Sequence, residues 1–209
     1  VPDRSLHKPV AVINRFEVKG DAATFERLFR EHSQFLRRRD DFDFLVTVRL
    51  VERPDVYAHI GHWRTLRGFL ETVNDRTFQL HVKELGPLVD AEADQAVSVA
   101  RVLRENAVVG AENVVLTRVT VREDPYAFER GYAEMNEHFG TLGGFGGSDL
   151  LRSTLLPGRY TGLQWWRNTA DCDRALDSAE YRALRHALGR RADIEVDRTR
   201  HVAYERVIG

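Results

Sequence analysis

Apolar residues recur at every second position in residues 10–18. Val10, Val12, Phe16 and Val18 share one side with Asn14, and Ala11, Ile13, Arg15 and Glu17 fall on the other. A period of two predicts a strand. Gly20-Asp21 supplies a turn and an N-cap, and Phe25, Leu28, Phe29, His32, Phe35 and Leu36 then recur at helical spacing up to Arg37-Arg38-Arg39. The basic triplet suits the negative end of a helix and reads as a solvated terminus. Phe42, Phe44, Val46, Val48 and Leu50 predict a second strand, Arg53-Pro54-Asp55 a stop, and residues 57–64 a third strand joined to it as a hairpin. Residues 65–85 return to a helical period, broken near Asn74-Asp75 and ended by Gly86-Pro87. Residues 93–103 alternate as a fourth strand. The order β-α-β-β-α-β is ferredoxin-like, an antiparallel sheet with helices on one face.

The pattern then recurs. Tyr57-Ala58-His59-Ile60-Gly61-His62-Trp63-Arg64 returns 103 residues later as Tyr160-Thr161-Gly162-Leu163-Gln164-Trp165-Trp166-Arg167. At the same offset Arg15 meets Arg118, Asp21 meets Asp124, Phe25-Glu26-Arg27 meets Phe128-Glu129-Arg130, and Phe42 meets Phe145. Arg49 meets Arg152, Leu85-Gly86 meets Leu188-Gly189, and Val99-Ala100 meets Val202-Ala203. A gapless register of this kind indicates duplication of one folding unit. The expected domains are residues 1–104 and 113–209, joined through residues 105–113. The expected fold class is α+β, with tandem ferredoxin-like βαββαβ units whose exposed sheet faces cover each other as an intramolecular dimeric α+β barrel.

Composition narrows the function classes. The net charge of −1 offers no basic surface for nucleic acid, and one cysteine, Cys172, allows neither an internal disulfide nor a structural zinc site. No apolar run has the length of a membrane span, and residues 1–9 lack the core of a signal peptide. A soluble, cytoplasmic protein without a membrane partner is expected. Gly143-Gly144-Phe145-Gly146-Gly147 lacks the Gly-Lys-Ser/Thr ending of a phosphate loop and reads as a mobile connection.

Six polar or amphipathic residues stand out. Asn14 lies on the apolar side of its strand, where an amide needs backbone, water or ligand as partner. His59 and Trp63, four apart on a strand, share a face, and His62 lies on the other, so the two histidines cannot hold one metal. No metal is expected. Trp63 has two readings, core packing, which its copy Trp166 favours, and ligand stacking. His32 lies in the apolar stripe of the first helix as a core histidine, and His81 reads either as a cavity acid or base or as a surface residue.

The Arg15-Phe16-Glu17-Val18 first strand, the tyrosine-to-tryptophan third strand and the unit order resemble the antibiotic biosynthesis monooxygenase family of dimeric α+β barrels. Tandem units of this length, with Val12-Ile13-Asn14-Arg15-Phe16-Glu17-Val18, resemble the ring-opening oxygenases of angucycline pathways. The resemblance implies an oxygenase that opens or hydroxylates a ring of a polycyclic aromatic polyketide, using dioxygen and a reduced flavin supplied by a separate flavin reductase. The cofactor-free anthrone oxygenases and a non-catalytic ligand binder are the alternatives. His59-x-x-x-Trp63 resembles the Asn-x-x-x-Trp of anthrone oxygenases, which carry tyrosine where this chain has Phe69. His81 stands one residue away from the haem ligand of haem-degrading relatives, and Thr72 replaces their tryptophan, which argues against haem. The implied catalytic set is His59, His81, Asn14 and Trp63, and the substrate or cofactor pocket is Phe16, His32, Phe69 and Trp165. The repeat carries Thr117, Gly162 and Leu184 in place of Asn14, His59 and His81, so the working cavity is expected in the first half. Homodimerisation is left open.

Overall fold

The computed structural model describes residues 5–106 and 110–206, with side chains described as far as Val202. The expectations for residues 1–4, for the connector at residues 107–109, for the side chain of Ala203 and for residues 207–209 lie outside the described residues. The first repeat comprises β1 (Val10–Val18), α1 (Ala22–Leu36), β2 (Phe42–Leu50), β3 (Val56–Trp63), α2 (Leu66–Val73), α3 (Arg76–Leu85) and β4 (Val89–Leu103). The second comprises β5 (Val114–Val121), α4 (Pro125–Thr141), β6 (Phe145–Ser153), β7 (Arg159–Trp166), α5 (Thr169–Leu176), α6 (Ala179–Gly189) and β8 (Ala192–Arg206). Both are α+β with the ferredoxin-like order, the last helix of each being split.

Local chemistry sets these boundaries. Every described α-helix begins on a side chain that accepts from its own first turn: Asp21, Thr65, Asp75, Asp124, Asn168 and Ser178. Such a cap satisfies one of the amides left over at a helix start. Asp75 therefore restarts the helix after Asn74, and Ser178 does the same in the second repeat. Arg39 is not a solvated end. It donates to Thr72 Oγ1 and to the carboxylate of the α3 cap, Asp75, each at 3.3 Å, and lies over the Phe35 ring.

Strands β4 and β8 are longer than their patterns suggested, beginning at Val89 and Ala192, and this length governs the compact units. Val89 to Ala96 pair antiparallel with β1. The chain as far as Val97, together with Val202 onward, forms one unit, and Ser98–His201 form the other. Sequence repeat and compact unit thus differ at their ends, because a strand of 15 residues outruns a partner of 9. In the first unit the sheet order is β4-β1-β3-β2. In the second, the end of β4 is held to β6 by Ser98 and Arg101, which both donate to the buried Asp149 carboxylate at 2.6 Å.

One framework contact is repeated. Tyr57 Oη donates to Glu26 at 2.7 Å with Arg49 beside it, and Tyr160 Oη donates to Glu129 at 2.8 Å with Arg152 beside it. Burial, then the carboxylate, pushes both phenols well above the ordinary tyrosine range, so they remain donors. Another contact is repeated in reverse. A Cβ at Gly68 would stand 2.2 Å from the Asp41 side chain, and at Gly144 it would stand 2.2 Å from Asp171. Gly144 matches Asp41 and Asp171 matches Gly68 at the repeat offset, so each niche holds one carboxylate side chain, supplied from opposite sides.

Overfilling such a niche destabilises by roughly 1–3 kcal/mol. Gly68→Ala is expected to lose about that much in urea denaturation, and Asp41→Gly in the same chain is expected to restore most of it. An equal loss with and without Asp41→Gly would show that the two residues do not compete for the space.

Candidate functional site

The helix-facing side of the first unit has two apolar cores instead of one. Val10, Val12, Leu36, Phe42, Leu45 and Trp63 form the first, with Phe35, Phe69 and Phe78 against it. Val18, Phe25, Phe29, Tyr57 and Leu85 form the second, with Phe16, Leu28, Val89 and Val202. Strands β1 and β3 and helices α1 and α3 each pass from one core to the other at a polar or small residue, and β2 leaves the first core at one. On β1 this is Asn14, on β3 His59 and Gly61, on β2 Thr47, on α1 His32 and Ser33, and on α3 His81. Strand register aligns three of them, since Asn14 pairs with His59 and His59 with Thr47. A polar row therefore crosses the sheet between two hydrophobic walls, with histidines from both helices above it.

Sequence alternation missed Thr47. An irregularity between Phe42 and Phe44 shifts the register, so Phe42 faces Trp63 while Phe44 stacks on His62 at 4.1 Å. The alternation from Phe42 to Leu50 is therefore not one face: Leu45 and Thr47 join Phe42 under the helices. The spacing of three between Phe42 and Leu45 is the signal available for this bulge. In the second repeat the same irregularity lies between Phe145 and Gly147. The glycines there are strand, not a loose connection, because a Cβ at Gly146 would meet Trp165 at 2.5 Å.

The row holds buried polar atoms without partners. His59 is 4 % exposed, its ring edge-on to Phe29 at 4.6 Å. His59 Nδ1 and Thr47 Oγ1 are buried without a hydrogen-bond partner among the described residues. Each such atom costs about 1–3 kcal/mol. His32, also buried, meets His81 Nδ1 to Nδ1 at 3.3 Å, and His81 is half-buried. Burial holds the His32 imidazole down to about 4, helped by His81, and burial, then His32, holds His59 well below the ordinary histidine range. Both are neutral at physiological pH and can accept a proton. Beside Thr47 and Ser33 lies a pocket of about 20 Å³, room for one water. Asn14, Phe16, Phe69, Phe78 and His81 are partly exposed.

The structure brings Asn14, His59, His32, His81 and Phe16 to this slot. Trp63 and Phe69 form its far wall, their rings 5.6 Å apart. Trp63 is both core and lining: the point where a Gly61 Cβ would stand is 3.6 Å from Trp63 Nε1 and 3.6 Å from His59 Nε2. Trp165 lies in the second unit, its indole N–H donating to the Glu105 carbonyl at 2.7 Å, and is not part of the slot.

The second unit fills the matching space. Thr117, Leu150, Gly162, Met135 and Leu184 stand for Asn14, Thr47, His59, His32 and His81. Tyr132, in the place of Phe29, puts its hydroxyl 2.4 Å from where a Gly162 Cβ would be. Gln164, in the place of Gly61, donates to Asn136, in the place of Ser33, at 2.6 Å. The apolar core there is one continuous cluster from Val115 to Ala192.

No family model matches the sequence, and no curated protein matches it. Solved structures do match. A protein of Fusobacterium nucleatum described as a candidate monooxygenase superposes with TM-score 0.78 at 8 % identity, over 98 % of this chain and 97 % of its own. An anthrone oxidase-like protein superposes with TM-score 0.70 at 12 % identity, over 97 % and 94 %. These likenesses define the fold: the chain shares the tandem ferredoxin-like α+β architecture of these two proteins. SnoaB of Streptomyces nogalater, described as a cofactor-independent oxygenase, is 25 % identical over 44 % of this chain and 95 % of its own, with TM-score 0.44.

The cofactor-independent description of SnoaB points against the expected reduced flavin. The polar residues of the row are Asn14, Ser33, Thr47 and three histidines, and Glu26 and Arg30 line the small pocket beside Thr47 and Ser33.

The neutral histidines make stability depend on pH in a defined sense. A histidine whose folded pKa is depressed contributes its stability fully above the unfolded value near 6.5, and loses it as pH falls toward the folded value. With His32 at about 4 when folded, the loss at pH 5 is about 2 kcal/mol. Thermal unfolding at pH 7 and pH 5 is expected to show a smaller acid shift in His32→Met than in the wild type. Equal shifts would mean that His32 is not held neutral.

Proposed function

We propose that the first unit is a cofactor-free oxygenase that converts an electron-rich, phenol-bearing polycycle of aromatic polyketide type, such as an anthrone, to its quinone with dioxygen. The observation that carries this reading is the polar row between two aromatic walls, present in one repeat and filled in the other. An apolar slot with few convergent polar groups suits a flat phenolic ring system.

His59 Nε2 takes a proton from the activated CH₂ of the substrate, and the carbon acquires the electron pair as an extended enolate. An imidazolium is costly in this site when alone, but here it forms beside the substrate anion and is paired. The anion gives one electron to dioxygen, and the two radicals combine into a C–O bond, leaving a peroxide. Protonation of the peroxide, loss of the second C–H proton and O–O cleavage give the carbonyl and one water. The balance is R₂CH₂ + O₂ → R₂C=O + H₂O, with no external reductant. Asn14 orients a substrate oxygen by hydrogen bonding, and Phe16, Phe29, Phe69 and Trp63 hold the ring faces.

With 1,8-dihydroxyanthrone in air and no reductant, quinone absorbance is expected to grow with wild-type protein. His59→Ala should slow the chemical step by on the order of a hundredfold. Tyr132→Phe, in the second unit, should keep the wild-type rate. Failure of the wild type to accelerate quinone formation, or full activity of His59→Ala, would contradict this reading.

A further inference from the structure

We propose that His32 and His81 form a two-ring proton relay that links the slot at His59 with solvent. The proposal rests on the reaction above and assigns to the two helices a task beyond lining the site. The rings meet Nδ1 to Nδ1 at 3.3 Å and stand nearly perpendicular, at 86°. Of two imidazole nitrogens this close, one must carry hydrogen and the other a lone pair. The ring that donates through Nδ1 then has a bare Nε2, and the ring that accepts has a protonated Nε2. Such a pair can take up a proton at one end and release one at the other.

The surroundings fit transport. Burial decreases along the series, from His59 at 4 % exposed through His32 at 7 % to half-buried His81. Phe29 lies against both His59 and His32, at 4.6 and 6.1 Å, and Phe78 and Phe35 flank the pair at 5.1 and 5.5 Å. These rings shield the transfer. Burial makes a lasting charge on His32 unfavourable, so a proton arriving there moves on. The repeat supplies an independent observation: Gly162, Met135 and Leu184 replace His59, His32 and His81 together.

In the forward direction the proton taken by His59 passes through a water or a substrate hydroxyl to His32 Nε2. The His32 Nδ1 proton moves to His81 Nδ1, and the His81 Nε2 proton leaves to water. When the peroxide anion forms, the same path runs inward, protonates it and restores both tautomers. No electrons pass through the rings, and the whole reaction exchanges no net proton.

Two measurements on the whole chain test this. Long-range ¹H–¹⁵N spectra of histidine-labelled free protein are expected to show complementary tautomers, His32 carrying its proton on Nδ1 and His81 on Nε2. In anthrone turnover, His81→Ala is expected to lower kcat by on the order of tenfold or more and to recover with added imidazole, since the vacated site is partly exposed. A packing role alone gives no imidazole response. The same tautomer in both rings, a His81→Ala variant with wild-type kcat, or a slowed variant that imidazole does not rescue would each overturn the relay. A wild type inactive on the anthrone but with complementary tautomers would refute the reaction and support the relay.

Discussion

Burying a polar atom without a partner is among the most costly things a small core can do. The second unit does so at Asn113 Oδ1, Arg118 Nε, Tyr132 Oη, Ser148 Oγ and Trp166 Nε1, and the first unit does so at two register neighbours in adjacent strands, His59 Nδ1 and Thr47 Oγ1. The rest of that unit is arranged around the consequence. Its apolar residues divide into two clusters, its helices contribute histidines at the same level, and the Tyr57–Glu26 contact borders the small pocket beside Thr47 and Ser33. In the second unit the same frame is kept, with Tyr160, Glu129 and Arg152 repeating Tyr57, Glu26 and Arg49, while the row is closed by Tyr132 and by the Gln164–Asn136 pair. The comparison within one chain separates what the fold needs from what it does not. The first unit's row serves no framework purpose, because the fold forms without it.

Catalysis by the protein alone is consistent with this economy of polar groups. A substrate that becomes a stabilised carbanion already carries the electrons dioxygen needs, so the chain has only to move protons and exclude water. Neutral, desolvated histidines suit the first task. Aromatic walls suit the second.

Much of the fold was legible in the chain. The gapless offset, the alternation of β1 and β3, the helix break at Asn74-Asp75 and the cap at Asp21 all follow from local chemistry that tertiary contacts did not override. The candidate site was partly legible, because Asn14 and His59 are polar residues at positions whose neighbours are apolar. Thr47 was hidden by a bulge that moves the second strand to its other face after Phe42, which alternation alone does not reveal. The pairing of His32 with His81 depends on how α1 packs against α3, a contact that spans 49 residues of sequence. Arg39 looked like a solvated charge because its partners, Thr72 and Asp75, are equally distant along the chain. Trp165 looked like pocket lining because it repeats a motif position, yet the glycines at 146 and 147 make its own surface a packing site.

The central claim is that one repeat holds an open ligand slot and the other a filled core. The direct measurement is a ¹³C-histidine and ¹³C-tyrosine NMR titration of the whole chain with an anthraquinone, the product class. The account predicts saturable shifts at His32, His59 and His81 with Tyr132 and Tyr181 unmoved. Shifts confined to the tyrosines of the second unit, or no saturable shift at the three histidines, would contradict it.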